Sequence, residues 1–219
     1  MRALSPLEAR VLGVLVEKQH TVPDSYPLSL NTLLLGCNQK TARVPVIDAS
    51  EADVLVALDG LKSLSLTFEG SGSRVVKYEH NMARVLGLPG ASVAILTVLM
   101  LRGPLTTAEL RVNCERLHRF ADLSSVEGFL EELAGKATPM VVKLPRAPGA
   151  REARWAQLLC GEVPAEWMVA AAGGAGESVA IGEVAALKAE QSRLAAEVET
   201  LRELVHRMAR ELGINTQGA

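Results

Sequence analysis

Apolar residues recur at three- and four-residue spacing in several separate stretches of the chain, and most of these stretches open on a helix-capping signal. In the first, Ser5 caps, Pro6 takes the first turn and Glu8 reaches back to the capping amide. Leu7, Val11, Leu12 and Leu15 then draw one apolar stripe along a helix predicted over residues 6–18. Pro23 and Pro27 are expected to hold the chain extended through Tyr26. Ser29 opens a second helix carrying Leu30, Leu33 and Leu34, which is expected to stop at Gly36. A polar run of Asn38, Gln39, Lys40, Thr41, Ala42 and Arg43 follows before Pro45. This connection is longer than most helix–helix loops, which makes it a functional candidate. Ser50, Glu51 and Asp53 restart a helix whose inner face is Val54, Leu58 and Leu61. Residues 64–69 and 74–79 alternate as two strands around a Gly/Ser turn.

The same order returns after Leu88, Pro89 and Gly90. Val93, Leu96 and Met100 mark a helix that stops at Gly103 and Pro104. Thr106 and Glu109 form a capping box for the next helix. Ser124 and Glu127 are read as another, opening a helix with Val126, Phe129, Leu130 and Leu133 inside. Residues 140–144 and 151–158 then read as strands. Three helices and a hairpin in about 75 residues is the winged helix-turn-helix order. The expectation is therefore a mainly α chain with small β-hairpins (α+β), built from two tandem winged helix-turn-helix domains over residues 1–86 and 87–160.

The remainder has a different texture. Residues 161–180 are Ala/Gly-rich and read as a flexible linker, with Trp167 expected to pack back on the second domain. Over residues 181–213 the apolar spacing becomes strictly heptad: Val184, Leu187, Gln191, Leu194, Val198, Leu201, Val205, Met208 and Leu212. Branched residues at one seam position and Leu at the other favour a parallel two-stranded coiled coil, so these nine residues are the candidate dimerisation seam. A parallel pair sets Glu183 against Lys188 and Glu197 against Arg202, whereas an antiparallel one crowds acids together. The alternative is that this helix folds back on its own domains. Residues 214–219 are expected to be disordered.

Composition narrows the function classes. At 3% aromatic residues the cores must be filled by Leu, Val and Ala, which suits small helical domains. The net charge of −2 hides a gradient: residues 1–160 carry 18 Lys/Arg against 16 Asp/Glu, and residues 161–219 carry 5 against 9. No basic block resembles a nucleic-acid-binding arm. Cys37, Cys114 and Cys160 are isolated and odd in number, which argues against a disulfide framework or zinc ribbon. Residues 91–101, the longest apolar run, are too short to span a bilayer, and the charged start does not read as a signal peptide. The expectation is a soluble cytoplasmic protein.

The segments LSPLEARVLGVLVEK, YPLSLNTLLLGCNQKTARVPV, LMLRGPLTTAELR, RFAD and VVKLPRAPGAREARW resemble the YceH-type family of uncharacterised bacterial proteins. The resemblance spans roughly residues 4–160. It implies a pair of winged-helix domains and carries over no activity. In that family the loop after NQK more often holds Asn-Arg-Asp/Glu, where this chain has Ala42, Arg43 and Val44.

Candidate chemistry is sparse. His20, His80, His118 and His206 share no motif, and no Gly-rich phosphate loop, HExxH or GxSxG is present. Cys114 and His118, one helical turn apart, are half of a zinc site with no second pair nearby. No catalytic residue, metal or cofactor is assigned, and the chain is read as a non-enzyme. In winged helices the third helix enters the major groove and the wing reaches the backbone. Here the third helices are acidic, with Glu51, Asp53 and Asp59 in one and Glu127, Glu131 and Glu132 in the other. The candidate nucleic-acid contacts are instead Lys40 and Arg43 after the second helix, Arg74 and Lys77 on the first wing, and Lys143, Arg146, Arg151 and Arg154 around the second wing. Two functions compete: a homodimeric DNA-associated protein of the transcriptional-regulator type, gripping double-stranded DNA by wings and loop, and an adaptor that binds a protein partner through the acidic third helices.

Overall fold

Helix α1, Pro6–Thr21, is the axis of the described structure. The computed structural model describes residues 1–70, 75–146 and 149–163. Residues Glu8 to Val16 are all buried, so α1 has no solvent face along its first half. Its start is the capping box read from Ser5 and Glu8: the Glu8 amide donates to Ser5 Oγ at 3.1 Å and the Ser5 amide to Glu8 Oε2 at 2.7 Å. Arg2 closes on the same carboxylate, and that ion pair together with the capping bonds holds the Glu8 carboxyl below its usual range.

A 3-10 turn, Pro23–Ser25, follows α1, where an extended segment was expected. Strand β1 (Leu28–Ser29) leads into α2 (Leu30–Cys37), capped by Ser29. Gly36 does not end α2. It is buried one residue inside the helix, where an added Cβ would lie 2.6 Å from Val14 Cγ1, so its role is close approach to α1. Helix α3, Glu51–Ser63, opens on the Ser50/Asp53 capping box. Strands β2 (Thr67–Gly70) and β3 (Lys77–His80) complete an antiparallel sheet of order β1-β3-β2. A short helix, α4 (Met82–Leu86), then leads towards the second half.

The second half repeats this order with α5 (Gly90–Arg102), α6 (Thr107–Cys114), α7 (Leu123–Ala134) and an antiparallel pair, β4 (Val141–Lys143) and β5 (Trp155–Gln157). The correspondence extends to a detail. In the first half Leu28, just before the second helix, pairs with Tyr78 of the closing strand, and in the second half Leu105, just before α6, bridges to Trp155 of β5. Thr106 and Glu109 form their capping box, but α7 is capped by Asp122, whose carboxylate accepts from the Ser125 amide at 2.8 Å. The Ser124/Glu127 box is thus corrected: a carboxylate two residues earlier captures the free amide first.

The described residues are α+β: seven α-helices and two small antiparallel sheets. Both halves feed one hydrophobic cluster, with α1 packed on α5 as well as on α2 and α3. Gly13 permits that contact, since a Cβ there would sit 2.9 Å from Leu101 Cδ2. Residues Ala91 to Leu101 of α5 are buried without a break, which explains their uninterrupted apolar character. No described helix is long and apolar enough to cross a membrane. The heptad residues Val184 to Leu212, Trp167 and Arg74 lie outside the described residues.

Candidate interaction surfaces

The loop from Asn38 to Ala49 is where sequence and structure part most clearly, because Asn38 and Arg43 bond within the fold. Asn38 bridges the loop's ends: its Nδ2 donates to the Ala49 carbonyl and its Oδ1 accepts from the Ala49 amide, both at 2.9 Å. The Val44 amide donates to the Leu101 carbonyl of α5 at 2.8 Å, tying the loop to the second half. Gln39 Nε2 donates to the Thr41 carbonyl at 3.0 Å.

Arg43 is 3% exposed, so it is not available to a phosphate, and its placement among nucleic-acid contacts is corrected. Its guanidinium grips Glu17 of α1 through both carboxylate oxygens, with Nη1–Oε1 at 3.1 Å. Its Nε donates to the Gly36 carbonyl at 3.1 Å, an acceptor near the C-terminus of α2. Such a buried cation is tolerated because its pair is bidentate and its remaining donors find carbonyls. The acid absent at Val44 has its counterpart in Glu17 of α1.

Arg10 does a similar job from the other side. It is buried on α1 and donates through Nη1 to the Cys37 carbonyl at 3.0 Å and through Nη2 to the Pro45 carbonyl at 2.6 Å. Burial and the neighbouring Arg43 charge hold its pKa below the usual guanidinium value. Sequence reasoning missed both Arg10 and Glu17. The signal was present: positions 10, 14 and 17 share one helical face, and two of the three are charged on an otherwise buried helix.

The remaining candidate cations are dispersed. Lys40 is exposed in the loop, and Lys77 is half-buried on the central strand β3, opposite Ser29 and Gly70. The β4–β5 hairpin brings four together. Lys143 Nζ lies 5.4 Å from the Trp155 ring centroid, a cation–π contact. Arg154 is tethered to the Pro104 carbonyl at 3.3 Å and to Glu109 at 3.8 Å. Arg146 and Arg151 are exposed and form no ion pair among the described residues.

The third helix of each half presents acid. On α3, Glu51, Asp53 and Asp59 are exposed, while its one cation, Lys62, is held by Asp59 at 2.9 Å and by Glu69. The same face is also apolar: Val56 is 72% exposed and Leu55 38%. Ala52, Leu55, Val56 and Asp59 follow helical spacing, so they form one stripe facing solvent. On α7, Glu127, Glu131 and Glu132 are exposed, and Lys136 pairs with Glu132 at 3.7 Å.

Cys37 and Cys114 are buried, and desolvation pushes each thiol up to about 12. His118 packs edge-on against Phe120 with centroids 4.7 Å apart. Among the described residues no three His, Cys, Asp or Glu side chains converge as a metal site. On β3, burial pushes the His80 imidazole down to about 4, and its backbone amide donates to Tyr26 Oη at 2.7 Å.

Comparison with known proteins adds a family. A family model described as "Protein of unknown function, DUF480" matches residues 4–150. A UPF0502 protein of Burkholderia cenocepacia is 66% identical over 98% of this chain and 92% of its own length. One from Burkholderia multivorans is 65% identical with the same coverage, and one from Leptothrix cholodnii is 63% identical over 100% of this chain and 99% of its own. The bacterial family expected from the sequence motifs is the one found.

If Arg43 serves the fold, its removal must be costly while an exposed arginine's is not. Arg43→Met leaves the Glu17 carboxylate without its partner and is expected to lower unfolding stability in urea by about 3 kcal/mol. Arg146→Met is expected to stay within about 0.5 kcal/mol of the parent. Equal effects of the two would place Arg43 outside the structural role.

Proposed function

From the premise that the chain belongs to the DUF480 family, whose description names no activity, we propose a non-enzymatic, homodimeric adaptor that binds a protein partner through its third helices. In this reading residues 1–86 and 87–160 are tandem winged helices and residues 181–213 form a parallel coiled coil that pairs two copies. The recurrence of three helices and a closing hairpin, each hairpin paired to the residues before the second helix, supports the duplicated winged-helix assignment.

The solvent face of α3 carries the functional choice. A helix that reads DNA needs Arg, Asn or Gln on base edges and no carboxylates against phosphate. Helix α3 offers Val56 and Leu55 flanked by Glu51, Asp53 and Asp59, and its single lysine is neutralised from within. An exposed apolar stripe rimmed by charge is the composition of a protein-docking surface. The acidic face of α7 is in keeping with this.

A second reading, attachment to double-stranded DNA through the backbone, is favoured by one observation: Arg146 and Arg151 are exposed and form no ion pair among the described residues, on the same hairpin as Lys143 and Arg154. Such contacts would grip phosphates without reading sequence and would weaken steeply with salt.

Affinity capture of the endogenous protein with and without nuclease separates the two readings. The adaptor reading expects a protein partner retained after nuclease and lost with Val56→Lys. Partners released by nuclease, together with salt-sensitive duplex binding lost on charge reversal at Arg146 and Arg151, would transfer the function to the hairpin.

Dimerisation is tested by sedimentation equilibrium of the full chain against one ending at Gly161. A dimer at micromolar concentration for the former and a monomer for the latter is expected. A full-length monomer would remove the coiled coil from the account.

A further inference from the structure

A cleft of about 260 Å³ opens between the start of α1 and the 45–49 segment, walled by Pro6, Leu7, Pro45 and Ile47. That volume is below the roughly 300–1,000 Å³ of sites for drug-sized ligands, so it suits a small metabolite. Two charged residues line it, and each lacks a counter-ion among the described residues. Arg10, 3% exposed, forms no ion pair among the described residues, and its Nε has no hydrogen-bond partner among them. Asp48 is exposed and forms no hydrogen bond or ion pair among the described residues.

A buried cation without an acid is an unfavourable arrangement unless something compensates it. At the other buried guanidinium among the described residues that compensation is a carboxylate: Glu17 meets Arg43. At Arg10 only the carbonyls of Cys37 and Pro45 serve, and the Pro45 carbonyl belongs to the cleft's own wall. A simple anion would answer Arg10 but would be repelled by Asp48. A simple cation would have the opposite difficulty. A zwitterion with an apolar body satisfies both charges and the four apolar walls together.

We propose that this cleft binds a free apolar α-amino acid, its carboxylate towards Arg10, its ammonium towards Asp48 and its side chain against Leu7 and Ile47. The site couples a ligand directly to the loop that α1 and α5 hold in place, because Arg10 anchors Pro45 and the Val44 amide is bonded to Leu101. It is separate from the α3 and hairpin surfaces and stands whether the partner is protein or DNA.

The test is isothermal titration of the full chain with L-leucine, N-acetyl-leucine and leucinamide. Leucine is expected to bind with a Kd below about 1 mM, and the two analogues, each lacking one charge, at least about tenfold more weakly. Asp48→Asn, an exposed change that leaves the fold intact, is expected to weaken leucine about tenfold while leaving N-acetyl-leucine unchanged. Ile47→Trp fills the cleft and is expected to abolish binding, with circular dichroism reporting that the variant is folded. No heat from leucine up to about 10 mM, binding unchanged by Ile47→Trp in a folded variant, or an analogue matching leucine would each overturn the proposal.

Discussion

Two guanidinium groups buried beside α1 determine how the first half of this molecule closes. The end of α2 leaves carbonyls that no helical amide can satisfy, and burying them unpaired would cost on the order of 1–3 kcal/mol each. Arg10 takes the carbonyl of Cys37 and Arg43 that of Gly36, while Glu17 balances the Arg43 charge. The consequence is geometric. A twelve-residue connection that composition suggests is loose becomes a fixed element, spanned at its base by Asn38 and Ala49 and tied to α5 through Val44 and Leu101. Burying Arg43 removes it from phosphate contact and leaves Lys40 as the loop's exposed cation.

With Arg43 engaged internally, the proposed function rests on surfaces exposed among the described residues. These differ in chemistry from one half to the other. The α3 stripe is apolar and acidic, whereas the β4–β5 hairpin carries the exposed Arg146 and Arg151 and a lysine on an indole face. The two halves share an element order but have diverged in what they show to solvent. Under the proposed adaptor reading the α3 stripe would hold a protein partner, and a coiled-coil extension would double that surface.

Much of the fold was legible because its signals are local. The capping boxes at Ser5, Ser50 and Thr106 each depend on residues three apart, and all three are present in the structure. The misreadings arise where a distant contact decides between equivalent local signals. Gly36 has the composition of a helix stop, yet only its nearness to Val14 reveals a packing role. Ser124 and Asp122 both offer a cap, and the carboxylate prevails. The two-residue strand β1 and the five-residue helix α4 are too short to produce a periodicity. At the candidate sites the sequence places Arg146, Arg151 and Arg154 around one hairpin, but it does not show the burial of Arg43. Its partner Glu17 lies 26 residues away, and sequence shows charge without showing where the side chain turns.

The 38–49 segment is a held structural element. Amide hydrogen exchange reports on it directly, since an amide that is bonded and shielded exchanges only when the structure opens. Val44 donates to Leu101 and Ala49 to Asn38, so both amides are predicted to exchange far more slowly than those of an unstructured peptide. Exchange of Val44 and Ala49 at unstructured rates, with α1 still protected, would contradict the account.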